Sequence, residues 1–128
     1  MPWQIIHHAD TRIIETRYAG VISEAELSEA MEATLAEARE HGEVRFLGDC
    51  SDLVGGHSIG SLYELAKTLE IRGTPHTARE AVILPRIEST VQEVEFWETT
   101  ARNRGYDVRV FKSREAALRW LLDPSDSV

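Results

Sequence analysis

The sequence has little of what marks secreted, membrane-spanning or disulfide-stabilised proteins. Cys50 is the single cysteine, so no disulfide can form within the chain, which agrees with a reducing compartment. No apolar run approaches the ~20 residues that a membrane span requires. The opening Met1-Pro2-Trp3-Gln4 lacks the basic and apolar segments of a secretory signal. We therefore expect a cytoplasmic, water-soluble protein with no integral membrane association.

Positive charge is also scarce. The 14 Lys and Arg residues are outnumbered by 22 Asp and Glu residues, which gives a formal net charge of −8. Without a cluster of basic residues, this charge disfavours binding to nucleic acid phosphates. Five histidines are present, but the adjacent His7 and His8 would point to opposite faces of a strand. Since no histidine, cysteine or carboxylate group has the spacing of a known metal site, we predict neither a metal nor another cofactor.

What the sequence does contain is a regular alternation of strand and helix patterns. A chain of 128 residues fits one domain, predicted over residues 1–122, with 123–128 as a flexible tail. The order is β-β-α-β-α-β-α-β-α, which indicates an α/β fold with a mostly parallel five-stranded sheet and four helices. The order of the strands within the sheet is left open. The predicted strands cover residues 3–8, 12–19, 44–49, 81–84 and 106–111.

The helices are predicted from their caps and apolar stripes. Ser23 with Glu26 forms a capping-box pattern that begins the first helix, and Gly42 ends it. Ser89 with Gln92 suggests a second capping box at the third helix. Ser113 is expected to cap the last helix. The apolar stripe of the second helix, which ends near Gly73, comprises Ile59, Leu62, Tyr63, Ala66 and Leu69.

This order resembles the STAS-like proteins typified by the SpoIIAA anti-sigma-factor antagonists, and more narrowly their bacterial SpoIIAA-like branch of unassigned function. The resemblance covers about residues 3 to 122. It rests on the segment Asp49-Cys50-Ser51-Asp52-Leu53 after the third strand and on the last strand and helix. The residues in that carboxyl-terminal unit are Phe111, Ala117, Trp120 and Leu121.

The resemblance implies a regulatory serine. In the classical antagonists, the helix after the third strand begins with an Asp-Ser-Ser-Gly-like motif whose serine is phosphorylated. Here the matching stretch is His57-Ser58-Ile59-Gly60, so Ser58 is the nearest counterpart and the candidate phosphoacceptor. His57 replaces the acidic residue and Ile59 replaces the second serine. A plain helix N-cap at Ser58 is the alternative.

The connection predicted from Asp49 to Ser61 is the candidate ligand or partner loop. Its glycines precede a helix start, where free backbone N–H groups and the helix dipole favour a phosphate or carboxylate. A turn without a ligand is the alternative. Gly55 and Gly60 have the P-loop spacing, but Ser61 stands where that motif requires lysine, so nucleotide hydrolysis is not supported. The candidate residues are Asp49, Gly55, Gly56, His57, Ser58 and Ser61.

No catalytic centre is recognisable. His57, Ser58 and Asp52 include the residue types of a nucleophilic triad, but such near neighbours in sequence rarely reach the required geometry. Cys50 beside Asp49 is either a reactive thiol or a small packing residue. An enzyme, such as a hydrolase, is therefore the weaker alternative to a non-enzymatic protein.

Two functions remain. The first is a regulatory or protein-interaction module that uses the 49–61 connection and acts as a phospho-switch if Ser58 is phosphorylated. The second is a carrier or sensor of a small anionic or lipid-like ligand held between that connection and the second and third helices. The chain is also expected to be able to form a homodimer, because an edge strand of the opening hairpin can pair with the same strand of a second copy.

Overall fold

The structure, a computed structural model, describes residues 2–55 and 59–123. Strands and helices alternate in the predicted order, which confirms the α/β class. The elements are β1 (Trp3–His8), β2 (Ile13–Val21), α1 (Glu24–His41), β3 (Arg45–Gly55), α2 (Ile59–Ile71), β4 (Arg79–Ile83), α3 (Glu88–Asn103), β5 (Asp107–Phe111) and α4 (Arg114–Leu121). None of the helices in these two described ranges is long and apolar enough to cross a membrane.

The five strands lie in the sheet in the same order as in the chain, β1-β2-β3-β4-β5. β1 runs antiparallel to β2, and the other neighbours are parallel. Since the parallel strands advance in one direction, right-handed crossovers place every connecting helix on the same face of the sheet. This arrangement leaves β1 at one edge and commits α1, α2 and α3 to a common face.

The sheet separates two cores of unequal size. The larger core contains Ile14, Phe46, Val82 and Val108 from the strands and buried residues of α1, α2 and α3. The smaller core lies on the other face, where α4 packs against alternate residues of the inner strands. Its members are Ile13, Leu47, Ala81, Ile83, Ala117, Trp120 and Leu121. Burial of Ala81, Val82 and Ile83 confirms that β4 is covered on both faces.

The ends of α1 follow the predicted capping chemistry. Ser23 Oγ accepts a hydrogen bond from the Glu26 backbone N–H at 3.1 Å, and the Glu26 carboxylate accepts one from the Ser23 N–H at 2.9 Å. Gly42 adopts φ 68°, and its N–H donates to Ala38 O. That left-handed conformation suits glycine because it has no Cβ.

The third strand is longer than predicted. β3 continues from Asp49 through Gly55, and its second half pairs with the end of β2, with Leu53 opposite Gly20 and Gly55 opposite Val21. The prediction of an exposed loop beginning at Asp49 is therefore wrong. Asp49 and Gly55 lie in a strand, because pairing with β2 satisfies backbone groups that a loop would expose to water.

A bulge in β3 explains why its buried and exposed side chains do not alternate as in a regular strand. Arg17 pairs with Asp49 and Ala19 pairs with Asp52, so two residues of β3 lie opposite one residue of β2. Cys50 and Leu53 are three residues apart, a spacing that simple alternation assigns to opposite faces. Both are nevertheless buried in the larger core, because the extra residue resets the alternation.

Two details of the helices also differ from the prediction. The N-cap of α3 is Ile87, without a side-chain cap bond, so the predicted box of Ser89 and Gln92 is wrong. Thr90 in the first turn instead donates from Oγ1 to Val54 O at 2.6 Å, which fixes α3 to the end of β3. Tyr63 on α2 was expected in the core but is 45% exposed.

An ion pair of Glu15 with Arg114 links β2 to α4. The Glu15 side chain is fully buried on the α4 face, and Arg114 binds both carboxylate oxygens at 2.6 and 2.8 Å. Arg17 Nε and His8 Nε2 lie at 2.8 and 2.7 Å from the same carboxylate. Burial alone would raise the pKa of Glu15, but the hydrogen bonds from Arg114, Arg17 and His8 lower that pKa to about 2. The carboxylate is therefore held in its ionised form.

The capping assignments predict different effects for two serine substitutions. Ser23→Ala removes a cap bond and should lower the free energy of unfolding by about 1 kcal/mol. Ser89→Ala, the matched control, should change it by less than about 0.5 kcal/mol because Ser89 is exposed and caps nothing. Urea unfolding followed by circular dichroism measures both, and equal losses would contradict the assignment.

Glu15→Gln tests the buried ion cluster. We expect a loss of about 3 kcal/mol in the free energy of unfolding at pH 7, at the low end for buried ion pairs because the cations keep partial solvent contact. The pKa of Glu15 in the folded protein lies below the ordinary 4.5. The wild-type advantage should thus be complete above about pH 4.5 and be lost as the pH falls towards 2.

Urea unfolding at several pH values between 2.5 and 7 measures this dependence. The control is Glu115→Gln, which removes a carboxylate that is 83% exposed and paired with Arg119 on the surface of α4, and which should have little effect at any pH. A stability difference between wild type and Glu15→Gln that stays constant with pH would contradict the account.

Candidate functional site

The structure does not assemble the predicted binding residues into one loop. Gly56, His57 and Ser58 lie outside the described residues. Ser61 is partly buried in the first turn of α2. These four residues stay candidates by sequence alone.

Asp49 and Gly55 are integrated into the fold. The Asp49 carboxylate accepts hydrogen bonds from the Ser51 N–H at 3.0 Å and Ser51 Oγ at 2.6 Å, and it lies 3.5 Å from Arg114 Nη1. Asp49 is therefore part of the charged network on the α4 face. Gly55 is buried at the end of β3, and its carbonyl oxygen accepts from the Ile22 N–H at 2.8 Å. Neither residue presents a free functional group on an open loop.

One cluster in the described residues has ligand types that suit a metal ion. Glu37, Glu40 and His41 at the end of α1 place potential ligand atoms within 4.8 Å of one another. Two of the three residues are exposed, and His41 lies 3.4 Å from Glu37 in an ion pair. The ring of His7 stacks on that of His41 at 3.9 Å. These contacts account for the cluster as a surface arrangement, and we assign it no metal.

A different site lies inside the larger core. Two adjoining voids of about 60 and 70 Å³, both partly open to solvent, lie between the sheet and α1, α2 and α3. Both are bordered by Tyr18, Met31, Glu80 and Trp97, and we call them together the Glu80 cavity. Most other lining side chains are apolar. Around the first void they include Ile14, Leu35, Phe46, Leu69 and Val108, and around the second Leu53, Leu62, Leu65, Val82 and Val94.

Strand register places Glu80 in this interior. On β4, Glu80 lies two residues before Val82, so both side chains point to the face that three helices cover. Glu80 pairs with Phe46 on β3 and with Val108 on β5. A Cβ at Gly48 would lie 3.4 Å from Glu80 Oε2, so the absence of a side chain at Gly48 leaves room for the carboxyl group.

The carboxyl group of Glu80 has one polar partner in the described residues. Trp97 Nε1 donates to Glu80 Oε1 at 2.8 Å, and the second oxygen, Oε2, has no such partner. Burial raises the pKa of Glu80 above its ordinary value, an effect that the Trp97 hydrogen bond only partly offsets. Glu80 is therefore held as a neutral acid over a wider pH range than an exposed glutamate.

Neighbouring titratable groups are also held in their neutral forms. Burial, reinforced by the negative charges of Glu80 and Asp49, raises the pKa of the Cys50 thiol far above its usual range. Burial likewise raises the pKa of Tyr18, with additional contributions from Cys50 and Glu80. A thiol without thiolate character is a poor nucleophile, which favours the interpretation of Cys50 as a packing residue.

The cavity can thus accommodate a small molecule but offers few polar contacts. A void of this size admits water-sized molecules, and Glu80, Tyr18 and Trp97 each keep part of their surface uncovered. Thr16 and Thr34 satisfy each other through a 2.6 Å hydrogen bond between their hydroxyl oxygens. The Glu80 carboxyl is therefore the polar group best placed to contact an occupant.

Sequence patterns do not single out Glu80, because the apolar run that predicts the fourth strand begins at Ala81. A usable signal is nevertheless present. If the strand is extended by two residues, Glu80 falls in alternation with Val82, on a strand expected to be buried on both faces. An acidic residue in that position loses its hydration, so it must either find a hydrogen-bond partner or shift its pKa towards the neutral form.

Comparison with known proteins identifies the family. The family model described as SpoIIAA-like matches residues 13–122. A crystal structure of an uncharacterized protein of the DUF3478 family from Shewanella loihica PV-4, described as having a SpoIIAA-like fold, is 21% identical. The alignment covers 93% of this chain and 91% of that chain with a TM-score of 0.59, a likeness that shows the fold alone.

The comparison with curated proteins finds no significant match. The family match spans most of the sequence, the similar crystal structure has the same type of fold, and the predicted resemblance is confirmed. The chain belongs to the SpoIIAA-like family.

Proposed function

We propose that this chain is a non-enzymatic STAS-type module that binds a small, mainly apolar molecule in the Glu80 cavity, as a carrier or sensor. The observation that supports this most strongly is the pair of adjoining voids around a carboxyl group that has no charged partner among residues 2–55 and 59–123. Well-packed interiors contain few voids larger than a water molecule. A function in ligand binding accounts for both the space and the polar group.

The position of the second void agrees with the ligand position expected from sequence. Leu62 and Leu65 of α2 and Val94 of α3 face it, together with Leu53 near the end of β3. Each void is smaller than the ~150 Å³ cavity that holds a benzene molecule in an engineered protein. The border between the voids consists of side chains, and Met31 is flexible enough to adjust to an occupant. A short, slender ligand therefore fits better than a bulky one.

The same chemistry supports a non-enzymatic role. The Cys50 thiol is buried and protonated, and Asp49 is bound to Ser51 and lies near Arg114. Cys50 borders the second void, but its protonated thiol is a poor nucleophile, and Asp49 is held in the charged network on the α4 face. Glu80 has no histidine, serine or cation among the described residues that contact its carboxyl group. We thus assign the site to binding.

Leu62→Phe tests the use of the cavity. Leu62 is buried against the second void, so a larger ring should occupy that space and weaken ligand binding at least about tenfold. Ile71→Phe is the matched control, because it places the same ring at a site that is 76% exposed on the same helix. It should leave binding unchanged.

Native mass spectrometry of protein purified under mild conditions measures the occupancy, and thermal unfolding shows whether both variants are folded. The wild-type protein should carry a small-molecule adduct, or take up 1-hexanol or toluene when either is added. Absence of any adduct and of any uptake would overturn the proposed carrier function.

A protein-interaction role, with a phospho-switch at Ser58, is the second candidate. It is favoured by membership of the SpoIIAA-like family, whose STAS-type domains often act through protein partners. The interaction surface would centre on residues 56–61, since β3 extends through Gly55. β1 lies at the edge of the sheet, so homodimerisation through that edge stays a prediction.

Alanine substitutions at His57 and Ser58 test this second candidate. We expect His57→Ala and Ser58→Ala to weaken capture of a protein partner while changing the melting temperature by less than about 2 °C, because both side chains are predicted to serve recognition. Affinity pull-down from cell extract and thermal unfolding measure the two effects, and Ser89→Ala is the control. If the variants capture the same partners as wild type, and mass spectrometry finds no phosphate on Ser58, the protein-interaction role is contradicted.

A further inference from the structure

The chemical class of the cavity ligand can be inferred from the groups that face Glu80. We propose, on the basis of the ligand-binding function above, that the ligand is an uncharged molecule with a short apolar body and one hydroxyl or carbonyl oxygen, which hydrogen-bonds to Glu80 Oε2. This goes beyond the expected anionic or lipid-like ligand, because it assigns the polar contact and excludes either charge.

The geometry of the Glu80 carboxyl group leaves one oxygen available to a ligand. Trp97 Nε1 occupies Oε1, whereas Oε2 points to the space beside Gly48 and has no partner in the described residues. In its acid form, Glu80 can donate its proton from Oε2 to a ligand oxygen. Trp97 fixes the direction of the group, so the ligand need not order it.

The charges around Glu80 determine which class of ligand can bind beside it. Besides Glu80, the described lining residues include Tyr18 of β2, Cys50 of β3, Glu93 of α3 and Tyr106 just before β5 as titratable groups. Arg79 also borders the cavity, but its guanidinium lies over the Trp120 ring at 4.1 Å on the opposite face of the sheet. No basic side chain in the described part of the chain therefore faces Glu80.

The lining contributed by the remaining elements is uncharged. α1 presents Leu27, Met31 and Thr34, and α2 presents leucine side chains. An anionic ligand would thus meet acidic neighbours and no cation. A cationic ligand would have to lose its hydration and pair with Glu80 in its ionised form, and a buried ion pair formed in this way rarely gains free energy. An uncharged ligand avoids both costs.

A matched ligand series tests the charge preference. 1-Hexanol, hexanoate and hexylamine have the same apolar body, and at pH 7 they are neutral, anionic and cationic. Calorimetric titration of the full chain should show 1-hexanol binding at least about tenfold more tightly than either charged analogue. Tighter or equal binding of hexanoate or hexylamine would overturn the inference but leave the cavity function intact. Failure of all three to bind would overturn both.

The Glu80→Gln variant tests the contact itself. Burial raises the pKa of Glu80, so the wild-type affinity for 1-hexanol should be constant at low pH and should fall severalfold as the pH rises through that pKa. The reason is that an ionised carboxylate retains water that the ligand must displace. Glu80→Gln keeps the shape and stays neutral, so its affinity should match the low-pH wild type at every pH.

Glu95→Gln provides the control, since Glu95 is exposed on the same helix as Trp97. It should keep the wild-type dependence of affinity on pH. If Glu80→Gln also keeps that dependence, or if wild type shows none between pH 4 and 9, Glu80 is not the group that contacts the ligand. The ligand series is measured on wild-type protein, so it decides the charge preference even if Glu80→Gln does not fold.

Discussion

Two glutamates on opposite faces of one sheet experience opposite electrostatic environments, and the organisation of the interior follows from this difference. Glu15 on the α4 face is surrounded by Arg114, Arg17 and His8, and their hydrogen bonds keep its pKa far below the usual value despite burial. Glu80 on the other face accepts a hydrogen bond only from the Trp97 N–H within the part of the chain that the structure describes, and burial raises its pKa. The first carboxylate therefore stabilises the fold as an ion, whereas the second stays protonated to a higher pH than an exposed glutamate does.

The topology explains why the two faces differ. Strands in sequential order send α1, α2 and α3 to the same face, and only α4 is available for the other. Three helices over one sheet must meet above its centre, and their side chains leave the voids that border Glu80. The face covered by α4 alone leaves charged side chains partly exposed, so Arg114 and Arg17 can reach Glu15 without losing all contact with water.

Much of the fold could be predicted from sequence, because local chemistry marks its boundaries. The capping box at Ser23, the left-handed Gly42 and the apolar stripes of the helices each depend on residues close together in the chain. The end of β3 could not be predicted, because it depends on pairing with β2 and on a bulge that brings Cys50 and Leu53 to one face. Local patterns contain no information on that pairing.

The candidate site was less predictable than the fold for the same reason. Glycines and a serine before α2 suggested a binding loop, but Asp49 and Gly55 lie in β3, and Gly56 to Ser58 lie outside the described residues. The Glu80 cavity is formed by residues from all three covering helices and from β2, β3, β4 and β5. Such a site exists only once the strands are in register.

The protonation state of Glu80 in the folded protein tests this account most directly. Titration of the side-chain carboxyl carbons by NMR, with Glu80 assigned from its missing signal in Glu80→Gln, gives the pKa of each glutamate in the same sample. We expect a pKa for Glu80 clearly above that of an exposed glutamate such as Glu115, and a pKa for Glu15 clearly below it. A pKa for Glu80 at or below that of Glu115 would contradict a neutral carboxyl group in the cavity.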